Sequence, residues 1–328
     1  MNTSTTSDGA QMFANRLKKN LKHLRRWLKR ENIHCYRIYD ADIPEYAMAI
    51  DIYQNAESAD QRWIHVQEYE APKYIDQDKA QLRLEEAVTV LQEILGVADE
   101  ELFLKVRRQQ KGKAQYEKLD TDRALYKVIE GDNYFLVNLK SYLDTGIFLD
   151  HRITRGLIGQ MAKGKRFLNL FAYTGSATVY AARANASSTT TIDMSRTYLD
   201  WAKRNMAVNG FSGGKHEFIQ DNCLEWLDNA AKKRQFELIF LDPPSFSTSK
   251  RMEGTFDVQR DHVQLLNKTI KRLTSNGTLI FSNNRRHFKM DHDALPGLKI
   301  EDISKSTLPM DFERNPRIHN CWKITQLK

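Results

Sequence analysis

Apolar residues near the start of the chain recur at the spacing of a helix. Phe13, Leu17, Leu21, Leu24 and Leu28 follow one another at intervals of three or four residues, which places them on one face of an α-helix. The other positions between residues 16 and 30 are rich in lysine and arginine and contain no acid. The pattern predicts a helix that packs by one face and exposes a basic surface.

Like charges at this density repel one another unless an anion neutralises them, so we interpret the helix as a contact for nucleic-acid phosphates. A merely solvated face and a helix that binds a membrane surface or calmodulin are the alternatives. The residues expected to contact phosphates are Arg16, Lys18, Lys19, Lys22, Arg25 and Arg26.

Residues 33–143 contain short alternating segments around one helical segment. We predict strands over residues 35–39, 46–53, 62–69, 102–106 and 126–139, and a helix with Asp76 as N-cap that Gly96 ends. These elements indicate a small α+β domain. Its basic segment 105–118 supplies further expected phosphate contacts, Arg107, Arg108, Lys111 and Lys113.

From residue 144 onward strands alternate with helices, which predicts a doubly wound α/β domain with a parallel sheet. The predicted strands are 166–171, 188–193, 216–219, 236–242 and 277–282, and the predicted helices are 176–184, 196–209, 224–233 and 259–273. Residues 300–306 and 318–326 are expected to form an antiparallel edge pair. The chain is thus divided into a basic arm (1–32), a small domain (33–143) and the α/β domain (144–328).

Composition narrows the class of protein. The formal net charge is +8, which weakly favours a polyanionic partner. Three cysteines, Cys35, Cys223 and Cys321, are too few and too scattered for a disulfide framework or a zinc site, so no metal is expected. The chain has no long apolar run and its N-terminus lacks the apolar core of a signal peptide. We therefore expect a cytosolic protein without a membrane span.

Ligands of parallel sheets bind at the carboxyl ends of the strands, and polar residues are predicted there. The first strand of the domain runs into Asn169-Leu-Phe-Ala-Tyr-Thr-Gly175, which has one glycine in place of a dinucleotide GxGxxG motif. Asp193 is placed to bind ribose hydroxyls and Asp221 to bind an adenine amino group. As an alternative, both carboxylates are helix N-caps.

The fourth strand ends in Asp242-Pro-Pro-Ser-Phe246. Two prolines fix the backbone in a rigid turn, which suits a carboxylate and an aromatic ring that orient a planar base. Asn283 and Asn284 follow the fifth strand and are interpreted either as contacts to the base edge or as a turn.

These segments resemble motifs of class I (Rossmann-like) S-adenosylmethionine-dependent methyltransferases that modify ribosomal RNA. Residues 143–152 are similar to a segment that closes over the cofactor in the large-subunit family containing RlmI and the K half of RlmKL. Similarity to the K half continues through residues 13–17, 36–42, 249–252, 256–262 and 281–284 and covers nearly the whole chain. It implies methylation of 23S rRNA at N7 of guanine 2069.

The expected site residues follow from both lines of reasoning. Asp242, Pro243, Pro244, Phe246 and Asn283 are the expected catalytic residues, and Lys250, Arg251, Arg285 and Arg286 would contact phosphates beside them. S-adenosylmethionine would be bound by Phe148, Asp150, Arg152, Asn169, Phe171, Ala172, Tyr173, Thr174, Gly175, Asp193, Met194, Ser195, Asp221, Asn222 and Asp242. The expected partners are 23S rRNA, naked or in an early assembly intermediate, and a separate RlmL-like THUMP methyltransferase.

The absence of a cysteine after the fifth strand narrows the choice of target atom. Methylation of carbon 5 of cytosine needs a thiolate, which the RlmI-like enzymes carry just after the fifth strand, whereas residues 281–285 contain no cysteine. Guanine N7 has a free lone pair and needs no covalent activation. Methylation of guanine N2 or adenine N6, a nicotinamide-dependent oxidoreductase and a catalytically silent RNA-binding protein remain as alternatives.

Overall fold

The computed structural model of the protein describes residues 7–69, 76–107, 124–142, 144–230, 234–248 and 254–327. The chain forms two compact units. The first contains residues 1–132 and 137–145, and the second contains residues 133–136 and 146–328. The helix of the predicted basic arm is grouped with the small domain in the first unit.

The first unit is built on a four-stranded sheet in the order β1-β2-β3-β4. Strands β1, β2 and β3 are antiparallel, and β4 returns parallel to β3 after helix α2. Its elements are α1 (Asp8–Arg30), β1 (Cys35–Asp40), β2 (Met48–Gln54), β3 (Arg62–Tyr69), α2 (Gln77–Leu95), β4 (Leu102–Arg107) and β5 (Tyr126–Glu130).

Helix α1 packs as its apolar pattern predicts. Ser7 caps it by accepting a hydrogen bond from the N–H of Ala10 at 3.1 Å. The ring of Phe13 is fully buried and stacks on Tyr46, with 4.7 Å between the ring centroids. The side chain of Asn20 is also buried and donates to the carbonyl of Ile38 at 2.8 Å, which removes the cost of an unpaired buried amide.

The predicted helix of the small domain is confirmed. Asp76 accepts hydrogen bonds from the first turn of α2, and Gly96 ends the helix with φ of 63°, a conformation that glycine adopts without steric cost. The single strand predicted over residues 126–139 is wrong, because Gly131, at φ of 57°, divides it into β5 and β6 (Asn133–Val137).

The second unit contains a seven-stranded sheet in the order β14-β15-β13-β10-β7-β8-β9. The five strands from β13 to β9 are parallel, and β15 and β14 are antiparallel to their neighbours. The strands are β7 (Arg166–Leu170), β8 (Ser188–Asp193), β9 (His216–Gln220), β10 (Phe236–Leu241), β13 (Leu273–Asn283), β14 (Leu298–Asp302) and β15 (Asn320–Gln326).

Helices cover both faces of this sheet, and each face has its own cluster of buried apolar side chains. The helices are α3 (Arg152–Ala162), α4 (Ser176–Arg183), α5 (Arg196–Val208), α6 (Cys223–Asn229), α7 (Val258–Ile270) and α8 (Ser304–Thr307). Two short strands, β11 (Phe246–Ser247) and β12 (Phe256–Asp257), pair beside the sheet. Strand order reverses between β7 and β10, so the carboxyl ends of these two strands flank the expected ligand crevice.

Several features of this unit differ from the prediction. Helix α3 and the short strands β11 and β12 are additional elements, and β13 begins at Leu273 instead of residue 277. The first strand of the predicted edge pair ends at Asp302, and residues 304–307 form helix α8. In the described part of the chain, no helix combines the length and apolar character needed to cross a membrane.

Candidate cofactor and methyl-transfer site

The loop after β7 is conformationally strained. Phe171 and Tyr173 have φ of 54° and 53°, and Gly175 has φ of 70°. Each non-glycine residue held in this region costs on the order of 1–3 kcal/mol. A Cβ atom on Gly175 would lie 2.7 Å from the Cβ of Ala202, so the position requires glycine. Such strain, when the surrounding structure enforces it, is typical of ligand sites.

The loop is anchored on the carboxylate at the end of β8. Asp193 accepts hydrogen bonds from the N–H of Tyr173 at 2.9 Å and from the N–H of Ser195 at 2.8 Å. Burial raises its pKa to about 6, although both hydrogen bonds oppose the shift. The N-cap of α5 is Ser195, which accepts from the N–H of Tyr198. The capping alternative for Asp193 is therefore wrong.

A polar cleft of about 240 Å³ lies at the ends of β8 and β9. The N-cap of α6 is Asn222 rather than Asp221, since the Asn222 side chain accepts from the N–H of Leu224. The carboxylate of Asp221 accepts from the N–H of Asn222 at 2.8 Å and lines the cleft. Among the described residues, the cleft is lined by Met194, Gln220, Asp221, Asn222 and Glu225. These hydrogen-bonding groups fit the edge and hydroxyls of an adenosine.

Asp242 occupies the end of β10, next to the strand-order reversal. Burial raises the pKa of its carboxyl to about 7, and the neighbouring carboxylate of Asp150 adds to the shift. A hydrogen bond from Ser282 and the charge of Arg155 oppose it. Within the described residues, its Oδ1 is buried without a hydrogen-bond partner. A group with these properties can accept a hydrogen bond from a substrate or balance a positive charge.

The segment before α3 supplies a second set of buried polar groups. Asp150 and His151 lie in a 3₁₀ turn (Leu149–His151) that leads into α3. The guanidinium of Arg152 binds both carboxylate oxygens of Asp311, at 3.1 and 3.2 Å. The fork of Arg152 is therefore engaged by Asp311, which fixes the start of α3.

Two aromatic rings of the candidate site reach the surface. Phe148 is 38% exposed and lies 5.2 Å from the ring of Tyr173 between centroids. Phe246, directly after the proline turn, is 54% exposed. Single exposed apolar side chains are common on protein surfaces. These two are singled out because they flank the strand ends, where a flat ligand could stack on them.

Other expected ligand residues instead hold the scaffold. Asn169 donates to the hydroxyl of Thr178 at 3.0 Å, and the Thr174 hydroxyl donates to the carbonyl of Gly146 at 2.5 Å. The side chain of Asn283 is fully buried and accepts from the N–H of Arg285. Its Nδ2 has no hydrogen-bond partner among the described residues, so the turn and the contact with the base edge both stay predictions.

A family model described as S-adenosylmethionine-dependent methyltransferase matches residues 61–308. The chain therefore belongs to this family. S-adenosylmethionine is its cofactor, and the strand-end carboxylates, strained loop and polar cleft described above fit that ligand.

Curated relatives of the methyltransferase are named "Ribosomal RNA large subunit methyltransferase K/L". The protein from Allochromatium vinosum is 58% identical over 97% of this chain and 43% of its own length. The protein from Vibrio cholerae is 55% identical over 95% of this chain and 43% of its own length. The chain thus spans less than half the length of these relatives.

Solved structures confirm the fold. The methyltransferase SMU.776, solved in complex with SAH, superposes with a TM-score of 0.76 at 19% identity and covers 99% of this chain and 83% of its own. A SAM-dependent methyltransferase from Streptococcus mutans gives a TM-score of 0.73 at 20% identity, covering 98% and 82%. The predicted class I α/β fold is thereby confirmed.

The fold places a cysteine closer to the site than its position in the sequence indicates. Cys321 on β15 pairs with Ser282 near the end of β13. Its thiol is buried, and burial raises its pKa to about 12. Burial likewise raises the pKa of Cys223 far above its usual range. Both are ordinary buried thiols, as the sequence predicted, and neither has the thiolate character that covalent catalysis requires.

Basic residues in the expected RNA-binding set have different surroundings. On α1, Lys18, Lys19, Lys22, Arg25 and Arg26 are exposed, whereas Arg16 is half-buried, with its Nε 4.0 Å from Asp42. Arg286 is exposed, while Arg285 pairs with Asp257 at 2.8 Å. Expected contacts that lie outside the described residues are the Arg107 side chain, Arg108, Lys111, Lys113, Lys250 and Arg251.

Proposed function

We propose that this methyltransferase modifies 23S rRNA at N7 of guanine 2069 and corresponds to the K part of the K/L relatives. It would act in the bacterial cytoplasm on naked rRNA or an early assembly intermediate. An RlmL-like THUMP methyltransferase, fused or separate, would supply the remaining activity. The names of relatives at 55–58% identity support the substrate.

The observation that carries the proposal is the end of β10. Asp242 presents a buried carboxylate oxygen without a hydrogen-bond partner in the described residues, and the proline turn leads directly to the exposed ring of Phe246. The Watson–Crick edge of guanine offers an N1–H and an amino group as donors, which match a carboxylate acceptor. Stacking on Phe246 would hold the base plane. Together they can orient guanine while leaving N7 open.

Positioning accounts for most of the expected catalysis. S-adenosylmethionine supplies a methyl group on positively charged sulfur, and the N7 lone pair forms the new N–C bond as the S–C bond breaks, without loss of a proton. Well-oriented reactants gain about 7–11 kcal/mol over free encounter. The carboxylates of Asp150 and Asp242 would balance the positive charge as it moves from sulfur to the base.

The buried thiols support this choice over carbon-5 methylation, since neither Cys223 nor Cys321 is poised as a nucleophile. One observation supports the alternative reaction, methylation of an exocyclic amine. A carboxylate whose pKa is raised to about 7 can take up the proton that such an amine must lose. Identification of the methylated atom distinguishes the two reactions.

The basic surface of α1 supports a structured RNA as substrate. Its exposed lysines and arginines lie opposite the buried apolar face, so they can contact phosphates without disturbing the packing of the helix. Contacts of this kind set affinity and its salt dependence but do not select a base.

The test is to incubate protein and isotopically labelled S-adenosylmethionine with 23S rRNA and identify the methylated nucleoside by mass spectrometry. We expect 7-methylguanosine at position 2069. N2-methylguanosine, N6-methyladenosine or 5-methylcytidine in its place would overturn the proposal. Asp242→Ala should abolish transfer and leave RNA affinity within a few fold. Normal turnover of that variant would remove Asp242 from the mechanism.

A further inference from the structure

A buried cluster of histidines and carboxylates borders Asp242. The Nδ1 atom of His151 lies 3.8 Å from Oδ2 of Asp242, and its Nε2 atom lies 3.5 Å from Oδ2 of Asp150. His319 lies at right angles to the His151 ring, with 4.8 Å between centroids. Phe240 contacts His151 from β10, edge to face at 6.4 Å. The imidazole of His151 is thus held between two carboxylates.

The carboxylate of Asp150 has more hydrogen-bond donors around it than the carboxylate of Asp242. Asp150 already accepts from Nδ2 of Asn284 at 3.3 Å. Ser282 offers Asp242 one hydroxyl hydrogen, which it shares with the carbonyl of Asn320 at 3.0 Å. Oδ1 of Asp242 has no partner among the described residues. The ring nitrogen of the cluster that faces Asp242 is Nδ1 of His151, 3.8 Å from Oδ2.

Burial keeps the His151 ring neutral, because it lowers the pKa of the imidazole to about 3. A neutral imidazole carries one N–H, so it can donate to one of the two carboxylates at a time. Since Asn284 already serves Asp150, the tautomer with hydrogen on Nδ1 leaves fewer buried acceptors unpaired. The present separation of 3.8 Å is longer than a hydrogen bond, as is common at catalytic groups before the reactants are bound.

We propose that His151 is a positioning residue that donates its Nδ1 hydrogen to Asp242 and holds that carboxylate ionised and oriented toward the base. The inference rests on the proposed role of Asp242 in orienting the guanine. His151 itself does not contact the reacting atoms. His319, the residue before β15, packs against the His151 ring. The hydroxyl oxygen of Thr307 fixes His319 in turn, at 3.0 Å from its Nε2.

Several titratable groups of the described residues face Asp242 and its neighbours. Asp150 opposes ionisation from the turn before α3, and Arg155 on α3 favours it. Cys321 on β15 and His319 just before it also face the cluster. Both are neutral, because burial raises the pKa of the Cys321 thiol and lowers the pKa of the His319 imidazole. The His151 hydrogen bond is the contribution that a substitution can remove without changing net charge.

The test compares two amides that reproduce different nitrogens of the ring. His151→Asn can place an N–H near the position of Nδ1, whereas His151→Gln can place one near Nε2. His151→Phe removes both, and His216→Asn, at the amino end of β9, is the matched control. Each variant is assayed for methyl transfer between pH 5.5 and 9, with S-adenosylhomocysteine affinity and thermal unfolding measured in parallel.

We expect His151→Gln and His151→Phe to lower kcat about tenfold at pH 7 and to move the acid limb of the profile up by about one pH unit. His151→Asn should retain most of the activity and the wild-type profile. If the Phe variant does not fold, the Asn and Gln pair still decides. Equal loss in Asn and Gln, or a lowered rate with an unmoved profile, would overturn the inference.

Failure of the proposed function can be distinguished from failure of the His151 role. If the product is not 7-methylguanosine but the Asn and Gln variants differ as expected, the proposed function fails and the role of His151 stands. The donor atoms of Asp150, His151 and His319 lie within 4.8 Å of one another. Stoichiometric metal in the purified protein, lost on His151→Gln, would therefore reassign these residues as ligands and overturn the positioning role.

Discussion

Asp193→Asn should separate cofactor binding from folding stability. The carboxylate of Asp193 accepts two backbone hydrogen bonds and lies at the end of β8, beside the polar cleft. In the proposed site it also accepts hydrogen bonds from the ribose hydroxyls. The amide has the same shape but carries no charge, and it replaces one acceptor oxygen with a donor. The variant should bind cofactor poorly and still fold.

The expected loss of binding follows from the strength of charge-assisted hydrogen bonds, about 1.5–3 kcal/mol. This range corresponds to about 10- to 100-fold weaker binding of S-adenosylhomocysteine.

The free energy of unfolding should change much less than cofactor affinity. The folded pKa of Asp193, about 6, is raised above its ordinary value of 3.8. The folded state therefore binds the proton more tightly than the unfolded state, and stability is lost as pH rises through about 4 to 6. A difference of about two units corresponds to about 3 kcal/mol, which partial exposure reduces to about 2 kcal/mol. Asp193→Asn removes this penalty, but its amide NH2 then faces one of the two backbone N–H groups, and the lost hydrogen bond costs about 1–3 kcal/mol. At pH 8 the two effects should therefore largely offset each other.

The assay pairs calorimetric titration with S-adenosylhomocysteine and urea unfolding at pH 5 and pH 8. Asp200→Asn, an exposed aspartate on the following helix, is the control and should change neither quantity. Binding within twofold of the wild type would refute the ribose assignment. A loss of stability at pH 8 that parallels the loss of binding would show that Asp193 is a structural carboxylate.

Three further variants test other parts of the site and surface. Gly175→Ala, at φ of 70°, should destabilise the protein by at least about 1–2 kcal/mol and weaken cofactor binding; unchanged urea unfolding would contradict the strain. Asp311→Ala leaves Arg152 as a buried charge without its bidentate partner and should cost about 3–5 kcal/mol in the same assay, whereas a loss under 1 kcal/mol would mean that the pair is solvated. Changing Lys18 and Lys22 together to Gln should weaken rRNA binding and lower the slope of log affinity against log salt by about 1.5; an unchanged slope would show that this surface does not contact RNA.

Local patterns determined much of this molecule. The apolar stripe of α1, the caps of α2 and the alternation of strands and helices after residue 144 all depend on neighbours in the chain, so their positions could be predicted within a few residues. The strand-end carboxylates were also predictable, because the carboxyl ends of parallel strands must lie along one edge. The turn after Asp242 was predictable because two consecutive prolines restrict the backbone.

Only the tertiary structure decided which polar residues face one another across the sheet. His151 and His319 are far apart in the sequence, and nothing local indicates that β15 brings them together beside Asp242. The same antiparallel strand brings Cys321 next to Ser282, and Asp311 pairs with the guanidinium of Arg152. Burial and pairing arise from contacts between distant segments, so they determine ionisation and orientation in ways that residue type and spacing alone do not specify.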